Sequence, residues 1–370
     1  MTCGRKLAGV LSASLLLGLL AAWSGLVPLA ASSGHWPLTE WFLHFTMHRT
    51  VKVRSSGIRA PHLEDGAMAL RGAGHFEIGC RPCHGSPGTR PPTVLRYMTP
   101  PAPTLPELIS EWEPEELFWI VRHGIKFTGM PGWPSQKRED EVWDMVAFLR
   151  HLPNMDPAEY RDLAGLDRVG PSEAPGALAT CARCHGIDGK GREGAFPRLA
   201  GQSPTYLYCA LEAYDEGRRF SGTMETVASA LSDGEKLELA RYYGDLAPRQ
   251  PVAPSHGDAV ESGEEIALWG VPQRRVPSCS DCHGPTDRSR KPNYPRLAGQ
   301  NASYLELQLQ LFHAGRRGGS PYAHLMHPVA KRLTKDQRKD VALYYASLVD
   351  DGGRGFEDPA VPGSVECGFR

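Results

Sequence analysis

Apolar residues recur at helical spacing in three short segments of the chain. The segments are residues 139–152, 233–246 and 335–348. In the second segment Leu237, Ala240 and Tyr243 fall on one stripe of a helix. Further upstream, Pro114 followed by two glutamates is typical of a helix start. The pattern predicts an all-α protein.

The first 35 residues predict an export signal. Arg5 and Lys6 precede an uncharged run over residues 7–33, which is long enough to cross a bilayer. We therefore expect residues 1–35 to form a retained signal-anchor helix. The alternative is cleavage near Ala31, where the residues are small.

Residues 36–65 predict a linker at the membrane interface. Their aromatic side chains cluster as those of a membrane-interface belt do. These side chains are Trp36, Trp41, Phe42 and Phe45. The alternative is an ordinary amphipathic helix packed on the first domain.

The second half of the chain contains an internal repeat. FPRLAGQ at residues 196–202 recurs as YPRLAGQ at 294–300, and the same shift carries Cys181 onto Cys279. Each copy predicts a helix ending in a cysteine motif, a loop, a helix after LAGQ, a methionine loop and a closing helix. A more divergent unit upstream has the same order, so we expect three related helical domains.

The expected domains are small. Their boundaries are residues 66–153 for domain 1, 172–248 for domain 2 and 258–349 for domain 3, followed by a disordered tail at 350–370. The 370 residues are 41% hydrophobic and include 32 prolines and 40 glycines, which is modest material for three separate cores. Each domain therefore needs another apolar body to pack around.

The formal net charge of -1 argues against a nucleic-acid partner.

Each domain contains one Cys-x-x-Cys-His motif. The motifs are Cys80, Cys83 and His84; Cys181, Cys184 and His185; and Cys279, Cys282 and His283. A single motif would also fit a redox dithiol or half of a zinc site. Zinc would need a second ligand pair for each motif, and a thioredoxin-like dithiol would need a βαβ context without the histidine. Three motifs therefore predict three covalent haem c groups, each with two thioether bonds and one histidine on the iron.

A second axial ligand would close the other face of each iron, and methionine is the expected residue. Met224 and Met326 align with each other in the repeat, and Met130 has the same place in domain 1. Met98 and Met145 are the alternatives in domain 1. In domain 3 the flanking histidines, His324 and His327, are alternatives to Met326.

These motifs resemble the small all-helical monohaem cytochrome c, used three times. Residues 175–348 resemble the tandem dihaem cytochromes of the c-four type, whose PRLAGQ, YL, GRR and ligand methionine occur in both halves. The resemblance implies that Pro197 and Pro295 offer backbone carbonyls to the proximal histidines. The equivalent proline of domain 1 is one of three, Pro100, Pro101 or Pro103.

Two cysteines outside the motifs bear on the redox state of the chain. Cys209 aligns with Leu307 on the repeated helix. We therefore expect a buried free thiol at Cys209 rather than a disulfide with Cys367.

The resulting expectation is a non-enzymatic electron carrier. It would be a trihaem cytochrome anchored on the periplasmic side of the bacterial inner membrane, passing electrons towards a terminal oxidase or another acceptor. Its partners would be redox proteins: a terminal oxidase, a quinol-oxidising complex or a dehydrogenase. The alternative is the trihaem subunit of a membrane-bound alcohol or sugar-acid dehydrogenase that passes electrons to quinone. A haem peroxidase would need one iron with a vacant face, against which three candidate methionines argue.

Overall fold

The computed structural model describes residues 2–27, 29–168, 170, 174–247, 257–286, 291–319, 322–349 and 367. Within these ranges the regular structure is helical, with no strand and two isolated bridges between single residues. The all-α prediction is confirmed.

Two helices precede the first domain: α1 (Thr2–Trp23) and α2 (Pro37–Ser55). Part of α1, Lys6–Trp23, is long and apolar enough to cross a membrane, as judged by length and composition. The end of α2 packs on domain 1, because Val51 is fully buried and the ring of His48 stacks on Trp112 at 4.6 Å. The start of α2 leaves its aromatic side chains exposed. The helix thus combines features of both interpretations.

Domain 1 and the segment after it contain six helices. They are α3 (Gly66–His75), α4 (Arg81–His84), α5 (Leu105–Ile109), α6 (Pro114–His123), α7 (Glu139–His151) and α8 (Pro157–Leu163). Helices α3 and α7 cross closely at Gly72, where an added Cβ would lie 2.3 Å from the carbonyl oxygen of Asp144. Arg71 on α3 forms a bidentate ion pair with Asp144 at 2.7 and 2.8 Å. Met145 belongs to the core and is 1% exposed.

Domains 2 and 3 share one helical order, except that two helices of domain 3 stand in place of the single motif helix of domain 2. Domain 2 has α9 (Ala177–His185), α10 (Pro204–Asp215), α11 (Gly222–Ala228) and α12 (Asp233–Asp245). Domain 3 has α13 (Asp258–Trp269), α14 (Ser280–His283), α15 (Ala302–His313), α16 (Ala323–Arg332) and α17 (Lys335–Ser347). The predicted methionine loops of these domains are the short helices α11 and α16. On α12, Ala240 and Tyr243 are buried as expected, and Leu239 is more buried than Leu237.

The prediction of a free thiol at Cys209 is wrong. Cys209 on α10 forms a disulfide with Cys367, with the Cα atoms 5.4 Å apart. Alignment with Leu307 correctly indicates a buried position, but it carries no information about which part of the chain covers that position. The rest of the predicted disordered tail lies outside the described residues.

Candidate haem-attachment sites

The three cysteine motifs end short helices in the same way. His84, His185 and His283 are the last residues of α4, α9 and α14. In each case the next residue is a glycine with positive φ, between 73° and 78°, a conformation that side chains other than glycine rarely adopt. The chain therefore turns away directly after the histidine, which leaves the imidazole at the helix end.

The imidazoles share one orienting hydrogen bond. The Nδ1 atom lies 3.1 Å from the carbonyl oxygen of Pro103 for His84, 3.0 Å from that of Pro197 for His185, and 2.9 Å from that of Pro295 for His283. Since a carbonyl only accepts, Nδ1 carries the proton and Nε2 keeps its lone pair for a metal. The two prolines implied by the resemblance are in place, and Pro103 is the equivalent in domain 1.

Four of the motif thiols lie in surroundings that disfavour the thiolate. Burial raises the pKa of Cys80, Cys181 and Cys279 to about 12 and that of Cys184 to about 11. A redox dithiol needs the opposite, a thiol pKa lowered towards neutrality. The environment therefore argues against a thioredoxin-like role and fits positions that end as thioethers.

One cavity of about 480 Å³ connects the sites of domains 2 and 3. Both proximal histidines line it, and so do Met224 and Met326. Most of its wall is aliphatic and aromatic, and its charged lining consists of arginines: Arg198, Arg219, Arg296, Arg317 and Arg332. No acidic residue is among the described lining residues. An apolar cavity with a cationic lining fits haem, which has a large apolar ring and two carboxylates.

A second cavity of about 550 Å³ lies between domains 1 and 2 and also borders α15 of domain 3. Cys184, His185 and Met224 line one side of it, and His75 and Arg71 of α3 line the other. The site of domain 2 thus faces domain 3 through one cavity and domain 1 through the other.

The candidate methionines differ in how clearly the structure separates them from their alternatives. Met326 lines the shared cavity, whereas His324 is exposed. The Nδ1 atom of His327 lies 3.1 Å from the carbonyl oxygen of Phe312, and this histidine is absent from the described cavity lining. The contacts therefore favour Met326 over both histidines.

In domain 1, Met130 lies in the loop between α6 and α7. The side chain of Met98 lies beside the neighbouring Gly129, because a Cβ added at Gly129 would be 2.1 Å from the Met98 Cε. The structure places Met98 against the loop that carries Met130, and Met130 as the ligand stays a prediction.

Comparisons with known proteins follow the same division of the chain. The family model described as cytochrome c oxidase, cbb3-type, subunit III matches residues 67–149, and the cytochrome c model matches 177–234 and 275–348. The thiosulfate dehydrogenase electron acceptor of Thiomonas intermedia is 39% identical over 176 residues, which are 47% of this chain and 81% of that protein. This chain belongs to the cytochrome c superfamily.

Two c4 proteins are also similar to this cytochrome. Cytochrome c4 of Thiocapsa roseopersicina is 34% identical over 50% of this chain and 96% of its own length. The solved cytochrome c4 of Acidithiobacillus ferrooxidans is 36% identical, with a TM-score of 0.41, over 45% of this chain and 98% of that one. The sequence matches establish c4-like segments, as the motifs indicated.

Membership of the cytochrome c superfamily indicates which chemistry these sites support. A bound haem c supplies one iron that takes up and releases a single electron. The chain supplies the two thiols, the oriented imidazole and the apolar wall. Sequence reasoning did not assign a role to the arginines. Arg219 and Arg317 belong to the repeated GRR segment, so repetition of the segment was the available signal.

Proposed function

We propose that this cytochrome carries three haems and transfers electrons along the periplasmic face of the inner membrane, towards a terminal oxidase or another acceptor. The repeated hydrogen bond between the proximal imidazole and a prolyl carbonyl is the observation that carries the proposal, because it prepares all three histidines for iron. Met130, Met224 and Met326 are the second axial ligands of the three irons. His/Met ligation raises the reduction potential, which suits the oxidising end of a respiratory chain.

The membrane part of the proposal rests on α1. Its apolar side chains, such as Leu11 and Leu17, are 63% and 72% exposed and make no core of their own. A lipid environment would cover them. The aromatic start of α2 would then lie near the headgroups.

A dehydrogenase complex is the second candidate setting. The similarity to a thiosulfate dehydrogenase electron acceptor favours a cytochrome that receives electrons from a partner dehydrogenase. The subunit of an alcohol or sugar-acid dehydrogenase is the other form of this idea. Copurification in mild detergent separates the settings: an oxidase supports the first, and a dehydrogenase subunit supports the second.

Mass spectrometry of the exported protein tests the haem count. We expect three haem additions that survive acid denaturation, and fewer would contradict the proposal.

Fractionation tests the anchor: a chain that retains residues 1–35 should remain with membranes after a high-salt wash. A soluble protein whose N-terminus lies near Ser32 would exclude the anchor.

A further inference from the structure

Domain 1 contacts domain 2 at the segment that leads into α11. The guanidinium Nη1 of Arg138 donates to the carbonyl oxygen of Phe220 at 2.9 Å. The carboxylate of Glu141 on α7 accepts the Ser221 hydroxyl and the Gly222 backbone N–H, both at 2.6 Å. Arg138 and Glu141 also pair with each other at 2.9 Å. Two charged side chains of domain 1 thus hold three consecutive residues of domain 2.

The contacted segment controls the start of α11. The Ser221 side chain is the N-cap of this helix and accepts the backbone N–H of Met224 at 3.1 Å. Glu141 therefore holds the residue that caps the helix carrying Met224. Its side chain is only 11% exposed, so little water competes for these hydrogen bonds.

Aromatic packing makes the same junction close and specific. A Cβ added at Gly222 would lie 2.2 Å from the Nε1 atom of Trp133. The rings of His75 and Trp133 are 4.2 Å apart, and the His75 Nδ1 lies 3.1 Å from the Thr223 hydroxyl. Three domain 1 elements, α3, α7 and the loop before α7, therefore meet the segment 220–223.

Domain 3 has no equivalent clamp among its described residues. Helix α16, which carries Met326, starts after Tyr322 without a side-chain cap. The repeat therefore places two methionines on equivalent helices, of which only α11 is held in this way by domain 1.

We propose that Glu141 and Arg138 of domain 1 are positioning residues for the Met224 thioether at the domain 2 haem. This inference rests on the proposed function, in which Met224 binds that iron. Docking of domain 1 would hold the start of α11 in the position that keeps sulfur on iron. Loss of the clamp would loosen one methionine–iron bond and leave the other two intact.

The test uses the full-length holoprotein with Glu141→Ala. The readouts are the methionine–ferric iron charge-transfer absorption and a redox titration that resolves three transitions. We expect a weaker charge-transfer band and one transition shifted to lower potential, with the other two unchanged. Glu141→Gln keeps one acceptor oxygen and should restore part of both signals, which a merely structural defect would not do.

Glu139→Ala is the matched control, because Glu139 lies on the same helix but pairs with Arg122 and Arg316 instead of the α11 segment. It should leave all three transitions in place. If Glu141→Ala binds three haems and matches this control, the positioning role is wrong. If Glu141→Ala does not accumulate with three haems, Glu141→Gln decides by the same comparison.

Met224→Ala separates this inference from the proposed function. It should remove one methionine signal and increase carbon monoxide binding at one haem. If Met224→Ala changes nothing, the ligand assignment fails and the inference fails with it. If Met224→Ala shifts one transition while Glu141→Ala and Glu141→Gln shift none, the ligand assignment stands and the clamp alone is refuted.

Discussion

Domains 2 and 3 orient their proximal histidines with the same prolyl carbonyl, at 3.0 and 2.9 Å, but hold their methionine helices differently. In domain 2, Ser221 caps α11 and contacts Glu141 of domain 1. In domain 3, α16 begins without a side-chain cap. Repetition has kept the orientation of the proximal histidine and changed the contacts of the helix that carries the methionine.

The closing helices differ at one buried position. Lys236 on α12 is 2% exposed and donates to Glu212 at 2.7 Å and to Asp215 at 2.6 Å. Its counterpart Arg338 on α17 donates to the carbonyl oxygen of Leu333 at 2.7 Å. The aligned partner of Asp215 is His313, which cannot act as a carboxylate. Each domain therefore pairs its buried cation with the acceptors its own sequence provides.

The second helices differ at their first turn. Ser203 caps α10 by accepting the backbone N–H of Tyr206 at 3.2 Å. The counterpart Asn301 makes no such cap on α15 and donates to the Phe196 carbonyl oxygen of domain 2 at 2.8 Å. The same position caps its own helix in domain 2 and contacts the neighbouring domain in domain 3. The comparison teaches that the repeat preserves the contact between the motif histidine and the prolyl carbonyl more strictly than the contacts between domains.

Removal of each methionine is the perturbation with the largest expected effect. Met224→Ala and Met326→Ala should each lower the potential of one haem by an amount on the order of 0.2 V, since axial ligands set haem potentials over roughly 0.8 V. Spectroelectrochemical titration measures the shift. Met326→Ala should shift less if His324 or His327 replaces the sulfur, and a high-spin haem in the unmodified protein would contradict the methionine assignment of that haem.

Removal of the carboxylates around Lys236 on α12 should destabilise domain 2 and leave domain 3 unchanged. Glu212→Gln with Asp215→Asn removes the two closest carboxylates of the buried ammonium and leaves Asp233 at 3.5 Å, and breaking buried pairs in this way costs about 3 kcal/mol. Hydrogen exchange of domain 2 amides measures the loss, and domain 3 amides provide the internal control. Equal protection in the variant and the parent would show that the pair does not stabilise domain 2.

The charge on Lys236 also predicts a pH dependence. Burial opposes the charge, but hydrogen bonds to Asp215 and Glu212 outweigh burial and raise the pKa of Lys236 above its ordinary value of 10.5. The pair therefore stabilises domain 2 fully below pH 10.5, and the stabilisation is lost as the pH rises through the folded-state value. Lys236→Arg should keep domain 2 protected at higher pH, as measured by hydrogen exchange. Identical alkaline profiles would contradict the prediction.

Substitutions on either side of the interface between domains 2 and 3 should reduce stability by equal amounts. The Gln202 side chain bonds the backbone N–H and carbonyl oxygen of Arg296 at 2.9 and 3.1 Å. Gln300 does the same to Arg198, both at 3.0 Å. Gln202→Ala and Gln300→Ala should each cost about 2 kcal/mol, because two backbone groups lose their partners. Thermal unfolding measures the cost, and clearly unequal losses would contradict the symmetry.

The helix-cap position should give the smallest effect and the sharpest contrast. Ser203→Ala removes an N-cap and should reduce stability by about 1 kcal/mol. Asn301→Ala should leave α15 intact and weaken the contact with domain 2. Hydrogen exchange in the first turn of each helix distinguishes the outcomes, and equal fraying of α10 and α15 would contradict them.

The sequence predicts the local parts of the sites well, because these depend on residues close together in the chain. The Cys-x-x-Cys-His spacing places two thiols and an imidazole at one helix end, and the resemblance to the c-four type implies Pro197 and Pro295. Pro103 could not be chosen over Pro100 and Pro101, since neighbouring carbonyls have the same sequence signal. The methionine segments were predicted as loops because they are short, and the contact between Ser221 and Glu141 that holds the start of α11 comes from another domain.

The sequence by itself determined the helical class, the three motifs and the duplicate order of domains 2 and 3, since spacing and periodicity act within a few helical turns. Tertiary structure decided the rest. It joined Cys209 to Cys367, chose Leu239 over Leu237 for the core, and brought Glu141 to Ser221. These contacts connect residues far apart in the chain, and which distant surfaces meet depends on how whole helices pack, a property that no local pattern encodes.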